Sequence, residues 1–281
     1  MNIIKGLNNI GNTCYLNSGL QMLIQNIDFL KIILENHNKS ENLKTMANFI
    51  KEYYTTIDSS ITPDKIKEMV SKKNNIFYSH DQQDAGEFII YLIDILDTDL
   101  NNNLNGLFDI TTETIIKCKF RKCLTKSISK HKNPFLILPI KDECLTLDDC
   151  YQEFKIHEKL EDDNMYFCEN CKEKRIASKW LNVIEWSNNL IILLKRFGNN
   201  KGRLSKNNKN IEIPINWIHN FTIKGAVIHS GGINGGHYVY ISRNLKDNSW
   251  IMCNDSSISL IPNEHVQNYL NRAYILNYIY N

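Results

Sequence analysis

Asn12-Thr13-Cys14-Tyr15-Leu16-Asn17-Ser18-Gly19-Leu20-Gln21-Met22-Leu23-Ile24 joins a reactive side chain to the start of a helix. Leu16, Leu20, Leu23 and Ile24 recur at helical spacing directly after Asn12-Thr13-Cys14, which predicts a helix beginning near the cysteine. A cysteine at that position meets unpaired backbone N–H groups and the positive end of the helix dipole. Both favour an anion, so the Cys14 thiol is expected to have a lowered pKa. Gly11, Asn12 and Thr13 are small polar neighbours expected to leave the sulfur accessible. Asn9, five residues upstream, can offer a side-chain amide to a developing oxyanion. The bland alternative is a small core residue at a helix start, and this stretch alone leaves both readings open.

A second helix is signalled by Ala85, Phe88, Ile89, Leu92, Ile93 and Leu96, with Asp81 or Ser79 as its expected N-cap. From Phe108 to about Trp186 the chain mixes strand-like pieces with cysteines and charged turns. The last third is rich in strands: Leu190–Lys195, Ala226–His229, Tyr238–Ile241, Trp250–Cys253 and Tyr274–Tyr280, with turns at Gly231-Gly232 and Asp247-Asn248. Helices first and antiparallel strands later predict an α+β protein with a cleft between a helical lobe and a sheet lobe. No solenoid repeat and no flexible linker divides the chain; Asn101-Asn102-Asn103 and Ser205–Asn210 read as surface loops.

The 281 residues suffice for one large domain or two lobes sharing a cleft. With 42% hydrophobic and 23% charged residues the composition is that of a soluble globular protein, and 33 basic against 31 acidic residues give a net charge of +2. No overall field favours nucleic acid or membrane, so neither is expected as a partner. The start, Met1-Asn2-Ile3-Ile4-Lys5, carries no secretory signal, and no apolar run approaches a membrane span. The eight cysteines therefore read as thiols, metal ligands and core residues in a reducing compartment.

A thiolate nucleophile needs an imidazole to take its proton and deliver it to the leaving amine. Of eight histidines, His237 stands out because it follows Gly235-Gly236 and opens the strand Tyr238-Val239-Tyr240-Ile241. Glycines there permit close approach of another backbone, as a narrow substrate channel requires. His229, ending the preceding strand, is the weaker candidate. The base needs a group to hold its tautomer. Asn254-Asp255 follow a strand that can hairpin onto that of His237, so either residue can reach the imidazole. Nucleophile early on a helix and partners late on a sheet is the order of papain-like cysteine proteases.

Four blocks of the chain carry a closer resemblance. Gly6-Leu7-Asn8-Asn9-Ile10-Gly11-Asn12-Thr13-Cys14-Tyr15-Leu16-Asn17-Ser18 resembles the cysteine box of the ubiquitin-specific proteases. Gly235-Gly236-His237-Tyr238-Val239-Tyr240, with Trp250 and Asn254-Asp255, resembles their histidine box. Asp81-Gln82-Gln83-Asp84-Ala85-Gly86-Glu87-Phe88 and Asn189-Leu190-Ile191-Ile192-Leu193-Leu194-Lys195-Arg196-Phe197 are similar to two further family blocks, in the family's order. The resemblance implies a deubiquitinase in a single catalytic domain: a helical thumb over about 1–105, β fingers and connecting segments over about 106–188, and a palm sheet over about 189–281. It implies Cys14 as nucleophile, His237 as base and Asn9 at the oxyanion hole. Asn254, seventeen residues after His237, falls at the third triad position, with Asp255 as the adjacent acid. Asp84 and Glu87 are expected to pair with the arginine-containing tail of ubiquitin, and Gly235, Gly236 and Tyr238 to line its channel. Helix capping is an equally simple role for Asp84, and a solvated face for Glu87.

Cys168-Glu169-Asn170-Cys171 has the spacing of a zinc knuckle, and Cys118 and Cys123 offer a second pair separated by four residues. The resemblance places the four at the tip of the fingers as a structural zinc site, although the family's first pair is normally separated by two residues. Cys144, Cys150 and Cys253 read as structural thiols. The expected partners are ubiquitin and ubiquitinated proteins, met by a monomeric bare catalytic domain in the cytoplasm with access to the nucleus. A protease for another ubiquitin-like modifier and a silent ubiquitin-binding scaffold are the alternatives.

Overall fold

A computed structural model describes residues 4–281 apart from 103, 124, 201, 202 and 234, so Asn103 of the first expected loop lies outside the described residues. In chain order the helical lobe holds β1 (Gly6–Leu7), α1 (Cys14–Ile24), α2 (Ile27–Glu35), α3 (Glu41–Thr55), β2 (Ser60–Ile61), α4 (Asp64–Lys73), α5 (Ala85–Asp99) and α6 (Asn105–Phe108). The chain then runs out along β3 (Ile110–Cys118) and β4 (Lys126–Asn133), passes back through β5 (Leu136–Leu138) and α7 (Leu147–Phe154), and goes out again through β6 (Glu158–Leu160), β7 (Tyr166–Cys168), β8 (Glu173–Arg175) and β9 (Ala177–Glu185). It finishes with β10 (Asn189–Leu194), β11 (Phe197–Asn200), β12 (Arg203–Lys206), β13 (Asn216–Trp217), β14 (Phe221–Gly232), β15 (Gly235–Arg243), β16 (Trp250–Asn254), β17 (Ser257–Ile261), α8 (Asn263–Leu270) and β18 (Ala273–Tyr280).

The palm sheet runs β17-β16-β15-β14-β18-β10-β5, with β13 on β14. All its pairs are antiparallel except β10 with β5, so the segment read as fingers lends one strand to the palm. Every residue of α1 is buried. That follows from its position between the sheet and α5, and it explains why the helix is apolar nearly all round. Gln21 is satisfied internally, its Nε2 donating to the Lys5 carbonyl (2.7 Å) and its Oε1 accepting from Tyr53 OH (2.9 Å), whereas Tyr15 OH and Asn17 Oδ1 are buried with no hydrogen-bond partner among the described residues.

The opposite palm face buries a second core under α7 and α8, in which Leu147, Cys150, Val266 and Leu270 cluster with Ile192, Ile228 and Leu276 of the sheet. Arg196, only 3% exposed, is held there by carbonyls of Ala273 (2.6 Å), Lys209 (2.7 Å) and Asn271 (3.0 Å). The fingers, by contrast, are a thin sheet ordered β4-β3-β9-β6 whose outer strand β4 is almost wholly exposed. Their tip has a core of its own made by Cys118, Cys123 and Cys168, with Tyr166 and Cys171 packed on it. Among the described residues no helix is long and apolar enough to cross a membrane.

Candidate active site

Helix α1 begins at Cys14, and the turn before it is tied down by Asn9. Asn9 Oδ1 accepts the N–H groups of Gly11 and Thr13, both at 3.1 Å, and Thr13 Oγ1 accepts that of Ile10 (3.0 Å). Gly11 adopts φ +107°, where a side chain is strained, and a Cβ there would lie 2.3 Å from His80 Nδ1. Asn12 Nδ2 donates to the His80 carbonyl (2.7 Å), so the nucleophile loop is docked on the segment preceding α5.

Cys14 is 3% exposed, which corrects the expectation of an accessible sulfur. Its pKa is raised, not lowered: burial dominates, and the Asp255 carboxylate pushes the same way. The backbone N–H groups of Tyr238, Tyr15 and Cys14 itself oppose this. The helix-start donors act as expected, but desolvation outweighs them.

The structure separates the two orienter candidates. His237 Nε2 pairs with Asn254 Oδ1 at 2.6 Å. Asp255 faces the other way: its carboxylate accepts from Asn17 Nδ2 (2.7 Å) and Asn9 Nδ2 (2.9 Å), and its carbonyl accepts the Leu7 N–H (2.8 Å). One of the two N–H groups of the Asn9 amide is therefore held by Asp255, which fixes the orientation of an otherwise exposed amide whose second N–H is open. Asp255 reaches these partners from φ +49°, a left-handed turn between β16 and β17 that Asp tolerates better than most residues. Among the described residues, no hydrogen bond joins Cys14 to His237; the backbone of Tyr238, the next residue along β15, is what works to lower the thiol pKa from that strand.

His229 lies beside the pair on β14, directly opposite Tyr238. Its ring packs 4.5 Å from that of Tyr238 and 5.3 Å from that of Phe197. Burial, Lys206 and His237 hold its pKa down to about 4. It is a neutral packing residue. It also accounts for Gly236, where a Cβ would lie 2.3 Å from His229 Nε2. The room expected for a substrate at this glycine is filled from below by the histidine ring, whereas a Cβ at Gly235 would meet only Gln82 Oε1 at 3.6 Å.

Gln82 and Asp84 of the helical lobe reach across to the palm at the cleft. Gln82, which sequence reasoning did not single out within its block, brackets the backbone of Gly236: its Nε2 donates to the carbonyl and its Oε1 accepts the N–H, both at 2.6 Å. Asp84, not Asp81 or Ser79, is the N-cap of α5, accepting the Glu87 N–H at 3.0 Å. Its carboxylate also takes the Tyr274 hydroxyl at 3.0 and 2.8 Å, and its charge raises the pKa of Tyr274 and Tyr238 beyond the effect of their burial. Asp84 is thus a bolt between α5 and the palm. Glu87, exposed in the first turn of α5, is the open carboxylate; partial burial and the Asp84 charge raise its pKa. Asn17 and Tyr274 were also missed: Asn17 lies inside the cysteine block with no signal of its own, and Tyr274 reads only as one residue of an apolar strand.

At the finger tip the four ligand atoms of Cys118, Cys123, Cys168 and Cys171 lie within 4.8 Å of one another, an arrangement that can hold a metal ion. Cys123 Sγ is 3.7 Å from Cys168 Sγ. The longer spacing of the first pair is absorbed by a turn in which the Cys123 N–H donates to the Phe120 carbonyl (2.8 Å).

The model of the family described as ubiquitin carboxyl-terminal hydrolase matches residues 5–278. The chain belongs to the ubiquitin carboxyl-terminal hydrolase family. Ubiquitin carboxyl-terminal hydrolase Usp2 of Drosophila melanogaster is 28% identical to it, over 97% of this chain and 34% of that protein. The probable ubiquitin carboxyl-terminal hydrolase 16 of Schizosaccharomyces pombe is also 28% identical, over 97% of this chain and 66% of its own length. The chain thus spans from about a third to just under two thirds of these two relatives. In fold it is similar to a solved SAGA Ubp8/Sgf11/Sus1/Sgf73 DUB module bound to ubiquitin aldehyde: TM-score 0.82 and 25% identity, covering 99% of this chain and 70% of the other. A SAGA DUB module with a substituted Ubp8, bound to monoubiquitin, gives the same TM-score of 0.82 at 27% identity, covering 99% of this chain and 69% of the other. The α+β, papain-like architecture expected from the sequence is the one these neighbours share.

Proposed function

We propose that this member of the family is a thiol-dependent deubiquitinase, hydrolysing the bond after the C-terminal Gly-Gly of ubiquitin. The observation that carries the reading is a single strand, β15, whose His237 pairs with Asn254 at 2.6 Å and which packs against α1, the helix that begins at Cys14. With Nε2–H donated to Asn254, His237 Nδ1 is the nitrogen free to accept a proton. Cys14 transfers its proton to that nitrogen, and the thiolate attacks the terminal glycine carbonyl. The resulting imidazolium protonates the leaving lysine amine, giving a thioester. Water, deprotonated by the same imidazole, then releases ubiquitin and restores the thiol.

Two features of the free protein oppose this chemistry: the raised Cys14 pKa and the absence of a Cys14–His237 bond among the described residues. Both favour a resting enzyme whose nucleophile becomes reactive when substrate draws the imidazole onto it. The open side of Gly235, where a Cβ would meet only Gln82 Oε1 at 3.6 Å, suits passage of a side-chain-free tail, and Glu87, an exposed carboxylate in the first turn of α5, would pair with a basic residue of that tail.

Structural zinc at the four-cysteine cluster belongs to the same reading. Zinc–sulfur distances of about 2.3 Å in a tetrahedron put sulfurs about 3.8 Å apart, and the Cys123–Cys168 separation of 3.7 Å fits. The metal would clamp strands that have little other core. A monomer in the cytoplasm, with access to the nucleus, completes the proposal, in keeping with eight cysteines that are all thiols. The test is release of a fluorogenic amine from the C-terminus of ubiquitin, run in parallel with SUMO-like and interferon-induced ubiquitin-like reporters. Preferential cleavage of ubiquitin is expected. Turnover confined to another modifier would overturn the assignment.

A further inference from the structure

The helical lobe covers only part of the palm face on which it packs. Across β14 to β17 the register aligns Val227, Tyr240, Cys253 and Ile258 in one row, and Gly225, Ser242, Ile251 and Leu260 in the next. In the first row Val227, Tyr240 and Cys253 are buried in the core shared with α1. The second row runs past the end of that helix. Its Ser242, Ile251 and Leu260 form the floor of an open groove of about 810 Å³, walled by Ile27 and Leu30 of α2, Tyr54 of α3, and Ile4. Apolar side chains stand out of it: Leu260 is 76% exposed and Ile27 73%. Helices cover the neighbouring part of the same sheet face, and a helix is the element that would continue the layer.

The rim decides the chemistry of the occupant. Lys224, Arg243 and Lys246 line one side, and none of them makes an ion pair among the described residues. Arg243 Nη2 donates to Asn248 Oδ1 (2.7 Å), but its Nη1 is buried with no hydrogen-bond partner. Lys224 Nζ donates to the Arg243 carbonyl (2.7 Å), which brings two cations together; burial and the Arg243 charge lower the Lys224 pKa. The one acid in the lining, Asp247, has its Oδ1 taken by the N–H (2.9 Å) and hydroxyl (2.7 Å) of Ser249 in the connecting turn. Three cations on one side of the groove without a carboxylate partner among the described residues, with Lys246 fully at the surface, make the rim complementary to an acidic partner. We propose that this groove docks an acidic amphipathic helix of a partner protein, with apolar residues on Ile251 and Leu260 and carboxylates on Arg243 and Lys246. The site lies outside the catalytic cleft, so the proposal stands apart from the assigned activity.

The probe is a fluorescein-labelled helical peptide of about fifteen residues, with a leucine stripe flanked by glutamates. Saturable binding to the full chain is expected, weakened about tenfold or more by either Leu260→Asp or Lys246→Glu and by raised salt. A lysine-for-glutamate peptide should not bind. Both side chains are exposed and remote from His237, so both variants should keep wild-type melting temperature and reporter hydrolysis. Failure of the wild type to bind, or equal binding by the two variants or by the lysine peptide, would overturn the proposal. So would binding seen only after deletion of residues 1–3, which would make the chain's own N-terminus the occupant. Self-association abolished by Leu260→Asp without peptide binding would overturn it in favour of a second copy.

Discussion

Replacing Asp255 and Asn254 separately should split stability from catalysis. Asp255→Asn keeps shape and tolerance of the φ +49° turn but removes the charge and turns one acceptor oxygen into an NH2 donor. One of the two amide contacts, to Asn17 at 2.7 Å or to Asn9 at 2.9 Å, then becomes donor against donor. Asn17 is 2% exposed, and hydrogen bonds to charged groups contribute about 1.5–3 kcal/mol each. At about 2–4 °C per kcal/mol for a domain of this size, the melting temperature should fall by roughly 3–12 °C. Removing the same charge takes away a contribution that raises the Cys14 pKa, so alkylation of Cys14 at a fixed pH should quicken. Asn254→Ala leaves the Asp255 brace intact and deletes only the partner of His237. Melting should then change little, while reporter hydrolysis falls roughly a hundredfold and Asn254→Asp restores much of it. Calorimetry and steady-state hydrolysis on the same preparations decide the matter. A stable Asp255→Asn beside a fully active Asn254→Ala would refute the division of roles.

Acid should expose His229. Its folded pKa near 4 lies below the ordinary value of 6.5, so the unfolded chain binds the extra proton first. The neutral ring's contribution is complete above about pH 6.5 and is lost as pH falls towards 4, a destabilisation of about 3 kcal/mol that His229→Asn should remove from denaturant titrations; equal pH slopes in the two proteins would contradict this. At the finger tip, Cys168→Ser or a strong chelator should loosen β7 and β8 and speed hydrogen exchange there, with the palm unaffected. Unchanged exchange, with no metal found by elemental analysis, would show that zinc does not clamp the tip.

The catalytic geography was legible because each of its parts leaves a local signature. A helical period after Cys14, a glycine pair before His237 and a hairpin leading to Asn254 all lie in short stretches of sequence. What escaped depends on distant residues meeting. The Gln82–Gly236 bracket spans 154 residues and the Asp84–Tyr274 bolt 190, and neither glutamine nor tyrosine announces such a partner. The same distance explains the thiol. Its helix position favours ionisation, but the sheet strand that buries Cys14 arrives more than two hundred residues later and reverses the balance. The seventeen-residue count selected Asn254, and the 2.6 Å contact agrees; the role of Asp255 as a brace for Asn9 and Asn17 had no sequence correlate.

Attack by Cys14 on the C-terminus of ubiquitin, with His237 as its base, is tested most directly by ubiquitin carrying a C-terminal electrophile, the adduct being located by mass spectrometry. Wild type should gain one ubiquitin on Cys14, Cys14→Ala should gain none, and His237→Ala should label far more slowly. An adduct on another cysteine, or labelling that survives Cys14→Ala, would contradict these assignments.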